Sequence, residues 1–439
     1  MRCTSGPAGS TSGFKMIIIA GFPPFRLYSF SMVLRPLRLA KLALVLLFLG
    51  QWAGLRAAEL TIVVNQPTFT PVVVRVPGLE GAPELTYLLR EDLKAHLVFR
   101  VLTEPPLSGT HLQEYLITGR ILSPGPRFRL YLELRDLFSE KILLRKVFSG
   151  APSSAPYMVH RFVDLAVKEM AGFPGVVSSW VAFVRRTPSG DELCLKDFTG
   201  KKVRVLYRAP ILLSPRFSPD GRHLAFVSYA QGHPEIRVLD LVSGKLHTVA
   251  AFPGLNASPV WHPDGKHLVA TLSKNGNPDL YLLDLSGRIL RRLTYGEGVN
   301  TGGSFSPDGR YLAFVSDRTG SPQIYLYDFE TGGTRRLTYT GRYNVAPRWS
   351  PLGDRIIFAG ERKGRFILFT MDPEGGSPMA ISGKGSYEAP AVAPNGYFVL
   401  ARGRGPEGEG LYLFLINGAA RRLYLPGPVL EAAWAPWPQ

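Results

Sequence analysis

The run FSPDGRHLAFVS, from Phe217 to Ser228, returns three times along this chain of 439 residues. The other copies are WHPDGKHLVATLS from Trp261 to Ser273, FSPDGRYLAFVS from Phe305 to Ser316 and WSPLGDRIIFAG from Trp349 to Gly360. Their prolines, at 219, 263, 307 and 351, lie 44 residues apart, and weaker copies follow with prolines at 394 and 436. A fixed period of about 40 residues predicts an array of stacked structural units.

One period of the repeat holds four short strands. In the third copy we predict them at Gly303 to Ser306, Tyr311 to Ser316, Gln323 to Asp328 and Thr334 to Thr338. The PDG between the first two strands suits a tight turn, because proline fixes φ and glycine accepts a positive φ. In these turns Asp220, Asp264 and Asp308 are predicted to accept backbone hydrogen bonds rather than to act as catalytic acids. Four antiparallel strands per period make one blade of a β-propeller.

The number of blades follows from the second strand of the repeat. It recurs six times, starting at Trp180, Leu224, Leu268, Leu312, Ile356 and Phe398. No first strand precedes the copy at Trp180, whereas one surplus strand, AAWAP, lies at Ala432 to Pro436. The C-terminal strand is therefore predicted to complete the first blade and close the ring, which removes the free sheet edges. Residues 177–439 are thus predicted to form a six-bladed β-propeller.

Residues 59–176 lack this period and are predicted to form a small α+β domain. Helices are predicted at Glu84 to Ala95 and at Tyr157 to Met170, because apolar residues recur there at helical spacing. Strands are predicted at Leu60 to Val64, Pro71 to Val76, Tyr115 to Leu122, Phe128 to Asp136 and Lys141 to Ser149. The apolar stripes of the two helices are predicted to pack in the core rather than to hold a cofactor.

Residues 1–58 have the features of an exported protein's leader. From Met32 a basic stretch precedes the apolar run Leu42 to Leu49, which is too short to span a bilayer as a stable helix. We expect a signal peptide, cleavage near Ala57 or Ala58, a periplasmic mature protein, and a spurious extension over residues 1–31. An uncleaved anchor is the alternative, since Arg56 interrupts the cleavage signal and a second apolar patch lies between residues 16 and 22.

Charge and cysteine content narrow the functional classes further. The formal net charge is +17, but the leader holds seven basic residues and no acid. The remaining basic residues are spread along the chain without a nucleic-acid-binding motif, so nucleic acid is not a predicted partner. Cys3 lies in the leader and Cys194 alternates with apolar neighbours, so we expect no internal disulfide and a buried Cys194.

The sequence contains no specific catalytic motif. The eight histidines form no HExxH, and His262 and His267 flank a PDG turn, so they are interpreted as turn residues and no metal site is predicted. No G-x-S-x-G sequence occurs. GRGPEG at Gly403 to Gly408 matches a dinucleotide-binding pattern but lies between two predicted strands, which indicates a hairpin tip. We therefore predict a binding protein without catalytic residues or cofactors.

The order of these parts resembles the TolB family, the periplasmic β-propeller component of the Tol-Pal envelope system. HRFVDLAVKEMAGFPGVVSSWVAFV, from His160 to Val184, is similar to the family's segment between its last N-terminal helix and its first blade. YLITGRI and LYLELRDLFSEKIL resemble the strands that precede it. The repeats also occur in other propellers, so the order of leader, small domain and six blades makes the resemblance specific.

The resemblance implies a monomeric scaffold with two protein partners. Members of the family contact the inner-membrane-anchored protein TolA through the N-terminus of the mature chain. On this chain that contact falls on ELTIVV, which comprises Glu59, Leu60, Thr61, Ile62, Val63 and Val64. A stretch of this kind suits strand addition to a partner, and an ordinary edge strand of the first domain is the alternative.

The second implied partner is the peptidoglycan-associated lipoprotein Pal, which the family binds on the propeller. On this chain the contact falls on loops that lead into the first strand of each blade and gather at one mouth of the ring. The residues are Leu255, Asn256, Ala257, Ser258, Asn300, Thr301, Gly302, Asn344, Val345, Ala346, Ser386, Tyr387 and Glu388. The recurring asparagine either contacts the partner or forms a turn. The family more often has a histidine where Leu255 stands.

The resemblance thus implies a link between an inner-membrane complex and an outer-membrane lipoprotein, which supports envelope integrity and constriction at division. A secreted propeller enzyme or a glycan-binding protein is the second hypothesis. That hypothesis places an active site or sugar site at the channel mouth and requires clustered acids or aromatic side chains there. The loops named above offer mainly Asn, Gly, Ser and Ala, with Glu388.

Overall fold

The computed structural model describes residues 70–105, 114–200 and 202–437. Residues from Pro71 onward form one compact unit. The predicted leader and the predicted strand at Leu60 to Val64 lie outside the described residues. Within the described part of the chain, no helix is both long and apolar enough to cross a membrane.

The N-terminal part of the described chain combines one mixed sheet with two helices, as predicted. Its elements are β1 (Val72–Arg75), β2 (Leu79–Glu80), α1 (Pro83–Ala95), β3 (Phe99–Leu102), β4 (Glu114–Ser123), β5 (Phe128–Asp136), β6 (Ile142–Gly150), a 3-10 helix (Pro152–Ser154) and α2 (Ala155–Ala171). The strand order is β3-β1-β4-β5-β6, and β2 also pairs with β4. The sequence patterns do not predict β2 and β3; β2 has only two residues, too few to show alternation.

The core of this domain lies between the helices and the sheet. Leu89 of α1 and Phe162 of α2 have no exposed surface, and α2 packs on both α1 and β5. Helix α2 ends at Gly172, which has a φ of +80° and donates its N–H to the carbonyl of Lys168. Glycine is favoured at this position because an L side chain strains a left-handed backbone.

Six four-stranded antiparallel sheets follow and form the blades of a β-propeller. The strands are β7 (Trp180–Thr187), β8 (Gly190–Asp197), β9 (Arg204–Ala209), β10 (Leu212–Phe217), β11 (His223–Ser228), β12 (Glu235–Asp240), β13 (Leu246–Ala250), β14 (Asn256–Trp261), β15 (His267–Leu272), β16 (Asp279–Asp284), β17 (Ile289–Arg292), β18 (Asn300–Phe305), β19 (Tyr311–Ser316), β20 (Gln323–Asp328), β21 (Thr334–Arg336), β22 (Asn344–Trp349), β23 (Ile356–Arg362), β24 (Arg365–Met371), β25 (Met379–Ala380), β26 (Ser386–Val392), β27 (Phe398–Gly405), β28 (Gly408–Leu415), β29 (Arg421–Pro426) and β30 (Val429–Trp434). Blade I is β30-β7-β8-β9, and blades II to VI are the successive groups β10 to β13, β14 to β17, β18 to β21, β22 to β25 and β26 to β29.

The C-terminal strand closes the ring, as predicted. Strand β30 pairs antiparallel with β7, so that Trp434 lies opposite Val181. The indole N–H of Trp434 donates to Ser179 Oγ at 2.6 Å, and its ring stacks on Phe198 at 4.9 Å. Blade I therefore joins the two ends of the propeller sequence into a single sheet.

Aromatic residues that end the first strands of blades III, IV and V pack between blades. Trp261, Phe305 and Trp349 are buried. Trp261 belongs to one apolar cluster with Ala225 of blade II and Leu268 of its own blade. Such rings contribute much of the burial that holds neighbouring blades together. Cys194 is also buried, as predicted, and burial raises the pKa of its thiol to about 11.

The central channel has two mouths, to which we give names. The loop face carries the loops that lead into β10, β14, β18, β22 and β26, and the turn face carries the PDG-type turns that follow these strands. The carboxylates of Asp220, Asp264 and Asp308 accept the N–H group two residues further on, at 3.0, 2.8 and 3.1 Å. These aspartates are therefore turn formers, as predicted.

The N-terminal domain contacts the turn face beside blades VI and I. Phe173 stacks on Tyr397 at 4.4 Å, and the Asn395 side chain donates to the carbonyl of Pro174 at 2.8 Å. In blade I, Thr199 Oγ1 donates to Asp92 Oδ1 at 2.5 Å. These contacts place the N-terminal domain on the side of the propeller opposite to the loop face.

Candidate partner-binding surface on the loop face

A ring of β-bulges lies at the loop face. The first strands of blades II to VI each shift register near their start. The residue at the shift adopts a left-handed backbone in every case: Ser214 (φ +53°), Ser258 (+49°), Gly302 (+69°), Ala346 (+53°) and Ala389 (+51°). This conformation costs about 1–2 kcal/mol for a residue with a side chain. Such strain is typical of binding sites, where the surrounding structure imposes it.

The bulges surround a cavity of about 410 Å³ at the channel mouth. Five of the sequence-predicted contact residues line it, namely Ser258, Thr301, Gly302, Val345 and Ala346. Two arginines and two acids from the described chain also line it: Arg216, Arg348, Asp317 and Glu431. The structure therefore brings residues of blades I to VI together around one concave site.

The guanidinium groups of the two arginines in this cavity can donate hydrogen bonds to a ligand. Arg216 is 18% exposed, and its nearest carboxylate oxygen, on Glu431, lies 3.7 Å away. Its Nη1 donates to the carbonyl of Pro215 at 2.6 Å, while its Nε is buried without a hydrogen-bond partner among the described residues. Arg348 donates to the carbonyls of Gly303 and Pro347, at 3.2 and 2.9 Å. Two partly buried guanidinium groups in a shared cavity suit an acidic side chain or a terminal carboxylate.

The three recurring asparagines are buried, which favours a structural role, the second of the two alternatives that the sequence left open, over direct contact with a partner. Asn256, Asn300 and Asn344 are the first residues of strands rather than loop residues, and all three are fully buried. Asn300, for example, donates to Asp279 at 2.9 Å and accepts from Arg318 at 2.7 Å. These side chains bind the preceding loops, because a buried amide needs hydrogen-bond partners.

The remaining predicted contact residues include buried or bonded side chains and half-buried ones at the rim. Tyr387 is fully buried and donates its hydroxyl to the carbonyl of Lys384 at 2.7 Å, so it too is structural. Ser386 Oγ accepts the N–H of Phe366 at 3.0 Å. Glu388 accepts from Arg402 Nε at 3.0 Å, which ties its carboxylate to β27. Leu255 and Ala257 lie half-buried at the rim of blade III.

Exposed tyrosines on the loop face are functional candidates that the sequence reasoning missed. Tyr295 and Tyr339 are 64% and 73% exposed, and each lies against an arginine, Arg292 at 4.8 Å and Arg336 at 5.0 Å from the ring centre. Val299 and Tyr343 add exposed apolar surface beside them. The signal is a repeated Leu-Thr-Tyr at 293–295 and 337–339, whose leucine and threonine are buried while the tyrosine faces solvent.

Comparison with known proteins decides the family. The family model of the TolB β-propeller domain matches residues 167–438, well over half of the chain. The chain belongs to the TolB β-propeller family. The Tol-Pal system protein TolB of Xanthomonas campestris pv. campestris is 32% identical over 250 residues, which cover 51% of this chain and 57% of that protein. The TolB of Desulfosudis oleivorans is 35% identical over 144 residues, 33% of each chain.

The TolB likeness extends to both parts of the fold. The crystal structure of TolB from Acinetobacter baumannii superposes with a TM-score of 0.77 at 28% identity, over 84% of this chain and 98% of that one. The chain spans little more than half the length of the curated Xanthomonas TolB proteins that it matches. Residues Glu59 to Val64, which we expect to contact a TolA-like protein, lie outside the described residues.

Proposed function

We propose that this protein is a periplasmic scaffold of the Tol-Pal system whose loop face binds a peptidoglycan-associated lipoprotein. The observation that carries the proposal is the combination of exposed tyrosines on the loop face with the arginines of the bulge-lined cavity. Aromatic side chains and arginine supply most of the binding energy in protein interfaces. Membership of the TolB family supports a binding role rather than catalysis.

The chemistry of the surface defines the partner that it accepts. The cavity would receive an acidic loop of the lipoprotein, with Arg216 and Arg348 as donors. Tyr295 and Tyr339 would anchor the rim, since each ring is already held by its arginine and by a hydroxyl bond to that arginine's carbonyl. Ordered side chains lose little entropy on binding, so they suit an interface.

The proposal gives the N-terminal segment of the mature chain and the propeller separate roles. Residues Glu59 to Val64 would add as a strand to a TolA-like inner-membrane protein, while the propeller holds the lipoprotein. The N-terminal domain contacts the turn face and leaves the loop face open, which is compatible with binding of both partners at once. This coupling would support outer-membrane integrity and constriction during division.

The experiment that tests the proposal measures binding of the organism's own peptidoglycan-binding lipoprotein domain to the chain from Glu59 onward. Replacing both Tyr295 and Tyr339 by alanine is expected to weaken binding at least tenfold, since two anchor side chains each contribute more than about 1 kcal/mol. The matched control is Val242→Ala, because Val242 is 76% exposed on the turn face and should leave the affinity unchanged.

A second variant separates the two partner sites. A chain that starts at Asn65 should keep the lipoprotein and lose only the TolA-like protein. If the double tyrosine variant binds the lipoprotein as well as the original chain does, the loop face is not the site. If peptidoglycan fragments bind in the absence of any lipoprotein, the glycan-binding hypothesis takes its place.

A further inference from the structure

A cluster of two imidazoles and one carboxylate lies on the turn face of blade III, away from the proposed partner site. The PDG turn between β14 and β15 reads His262, Pro263, Asp264, Gly265, Lys266, His267. Ligand atoms of the two histidines and the aspartate all lie within 4.8 Å of one another. Asp264 Oδ2 is 3.1 Å from His262 Nδ1 and 2.6 Å from His267 Nδ1. The geometry points to a binding site for a divalent transition metal ion such as Zn²⁺, and this is our proposal.

The distances fit such an ion. Zinc binds imidazole nitrogen and carboxylate oxygen at about 2.0–2.2 Å, so ligands around a tetrahedral ion lie roughly 3.3–3.5 Å apart. The distance of 3.1 Å between His262 Nδ1 and Asp264 Oδ2 is already close to that spacing. At His267 the metal would replace the proton that now joins the ring to the carboxylate, with a small outward shift of the imidazole. The N–H of Asp264, which reaches His262 Nδ1 at 3.2 Å, would lose this long contact.

The surroundings fix the ligands in place. The other carboxylate oxygen, Asp264 Oδ1, accepts the N–H groups of Lys266 at 2.8 Å and of His267 at 3.2 Å. The His262 ring packs edge-on against Phe305 of blade IV at 4.9 Å. Contacts of this kind orient metal ligands and raise affinity.

Comparison among the blades shows that the turn does not need His262. The matching residues are Ser218, Ser306 and Ser350 in blades II, IV and V. In blades II and IV that serine hydroxyl accepts the N–H five residues on, at 2.9 Å. In blade III the N–H of His267 is bound by Asp264 Oδ1 instead, at 3.2 Å, and His262 Nδ1 accepts only the N–H of Asp264. Blade II has the aspartate and the second histidine, Asp220 and His223, but a serine replaces the first. Among these four turns, only blade III therefore presents three ligands.

The three side chains are partly exposed, each between a quarter and a third. A metal ion held by them would keep a coordination position open to solvent. Water would occupy it, or a side chain of another protein that docks on the turn face. The site is thus suited to exchange with external zinc rather than to permanent structural use.

The test titrates Zn²⁺ into the chain from Glu59 onward, without a histidine tag, in competition with a chromophoric chelator at pH 7.5. One Zn²⁺ per chain is expected. His262→Ser and His267→Tyr, which install the residues of neighbouring blades, should each weaken binding at least tenfold. His223→Tyr in blade II is the control and should leave binding unchanged.

Binding of Co²⁺ gives a second readout, because a site with two imidazoles produces visible absorption bands that the two variants should lose. Circular dichroism checks that each variant keeps the fold. The proposal is wrong if the original chain binds no Zn²⁺, or if folded His262→Ser and His267→Tyr chains bind it with unchanged affinity.

Discussion

At the scale of single residues, the loop face depends on backbone conformations that most side chains avoid. Four of the five bulge residues carry a side chain in the left-handed region, and Gly302 occupies the matching place in blade IV. Backbone strain at four equivalent places is typical of a shape that serves binding. Here the bulges turn the lining residues toward the channel mouth, where the cavity forms.

Opposite stability changes are expected at two equivalent bulges. Ala346→Gly should raise the free energy of unfolding by about 0.5–1 kcal/mol, because relief of the left-handed strain exceeds the extra entropy of the unfolded glycine. Gly302→Ala should lower it by about 1 kcal/mol, since open space surrounds the new methyl group and only backbone strain is added. Urea unfolding of both variants measures the difference. Losses of equal size would show that side-chain packing, not φ, governs these sites.

At the scale of strands and helices, the repeat period explains why so much was predictable. Turn prolines 44 residues apart and a surplus C-terminal strand predict six closed blades, and helical spacing predicts α1 and α2 within a few residues. The candidate surface was less predictable. Asn300 and Tyr295 lie close together in the sequence, and both side chains can form hydrogen bonds. Only the fold shows that Asn300 is buried while Tyr295 is exposed. Burial depends on neighbours from other blades, which a local pattern does not contain.

The closing strand should be the weak point of the ring. Trp434→Ala would remove a buried ring that stacks on Phe198 and bonds Ser179, with an expected loss of about 3–5 kcal/mol in unfolding free energy. Trp180→Ala in the paired strand is the control, since Trp180 is 46% exposed and should cost about 1 kcal/mol or less. Thermal and urea unfolding compare the two. Equal losses would mean that β30 does not limit the stability of the propeller.

At the scale of the whole molecule, buried polar groups join the N-terminal domain to the propeller. Asp92 of α1 contacts both His160 of α2, at 2.7 Å, and Thr199 of blade I. Burial lowers the pKa of His160, but the hydrogen bond and the negative charge of Asp92 outweigh burial and raise it. Asp164 accepts N–H groups of Val177 and Ser178 in the segment that leads into blade I. The junction is therefore ordered by specific bonds, and it fixes the N-terminal domain away from the loop face.

Two buried groups of this junction have pKa shifts whose effects on stability oppose each other. Burial raises the pKa of Asp164 from 3.8 to about 6, so the folded state holds this proton more tightly and stability falls as pH rises from about 4 to 6. Burial lowers the pKa of His96 from 6.5 to about 4, and its Nε2 accepts the N–H of Val176. The unfolded state then binds the proton more tightly, so stability rises with pH over about 4 to 6.5.

Each of these two contributions amounts to about 3 kcal/mol, and in the original chain they nearly cancel. Asp164→Asn should uncover the contribution of His96, so that stability relative to the original chain rises by about 3 kcal/mol between pH 4 and 6.5. His96→Gln should uncover that of Asp164, with the opposite slope. Unfolding free energies at four pH values measure both slopes, and constant losses from altered hydrogen bonds do not affect them. Curves parallel to that of the original chain would show that these two groups do not control the pH dependence of the junction.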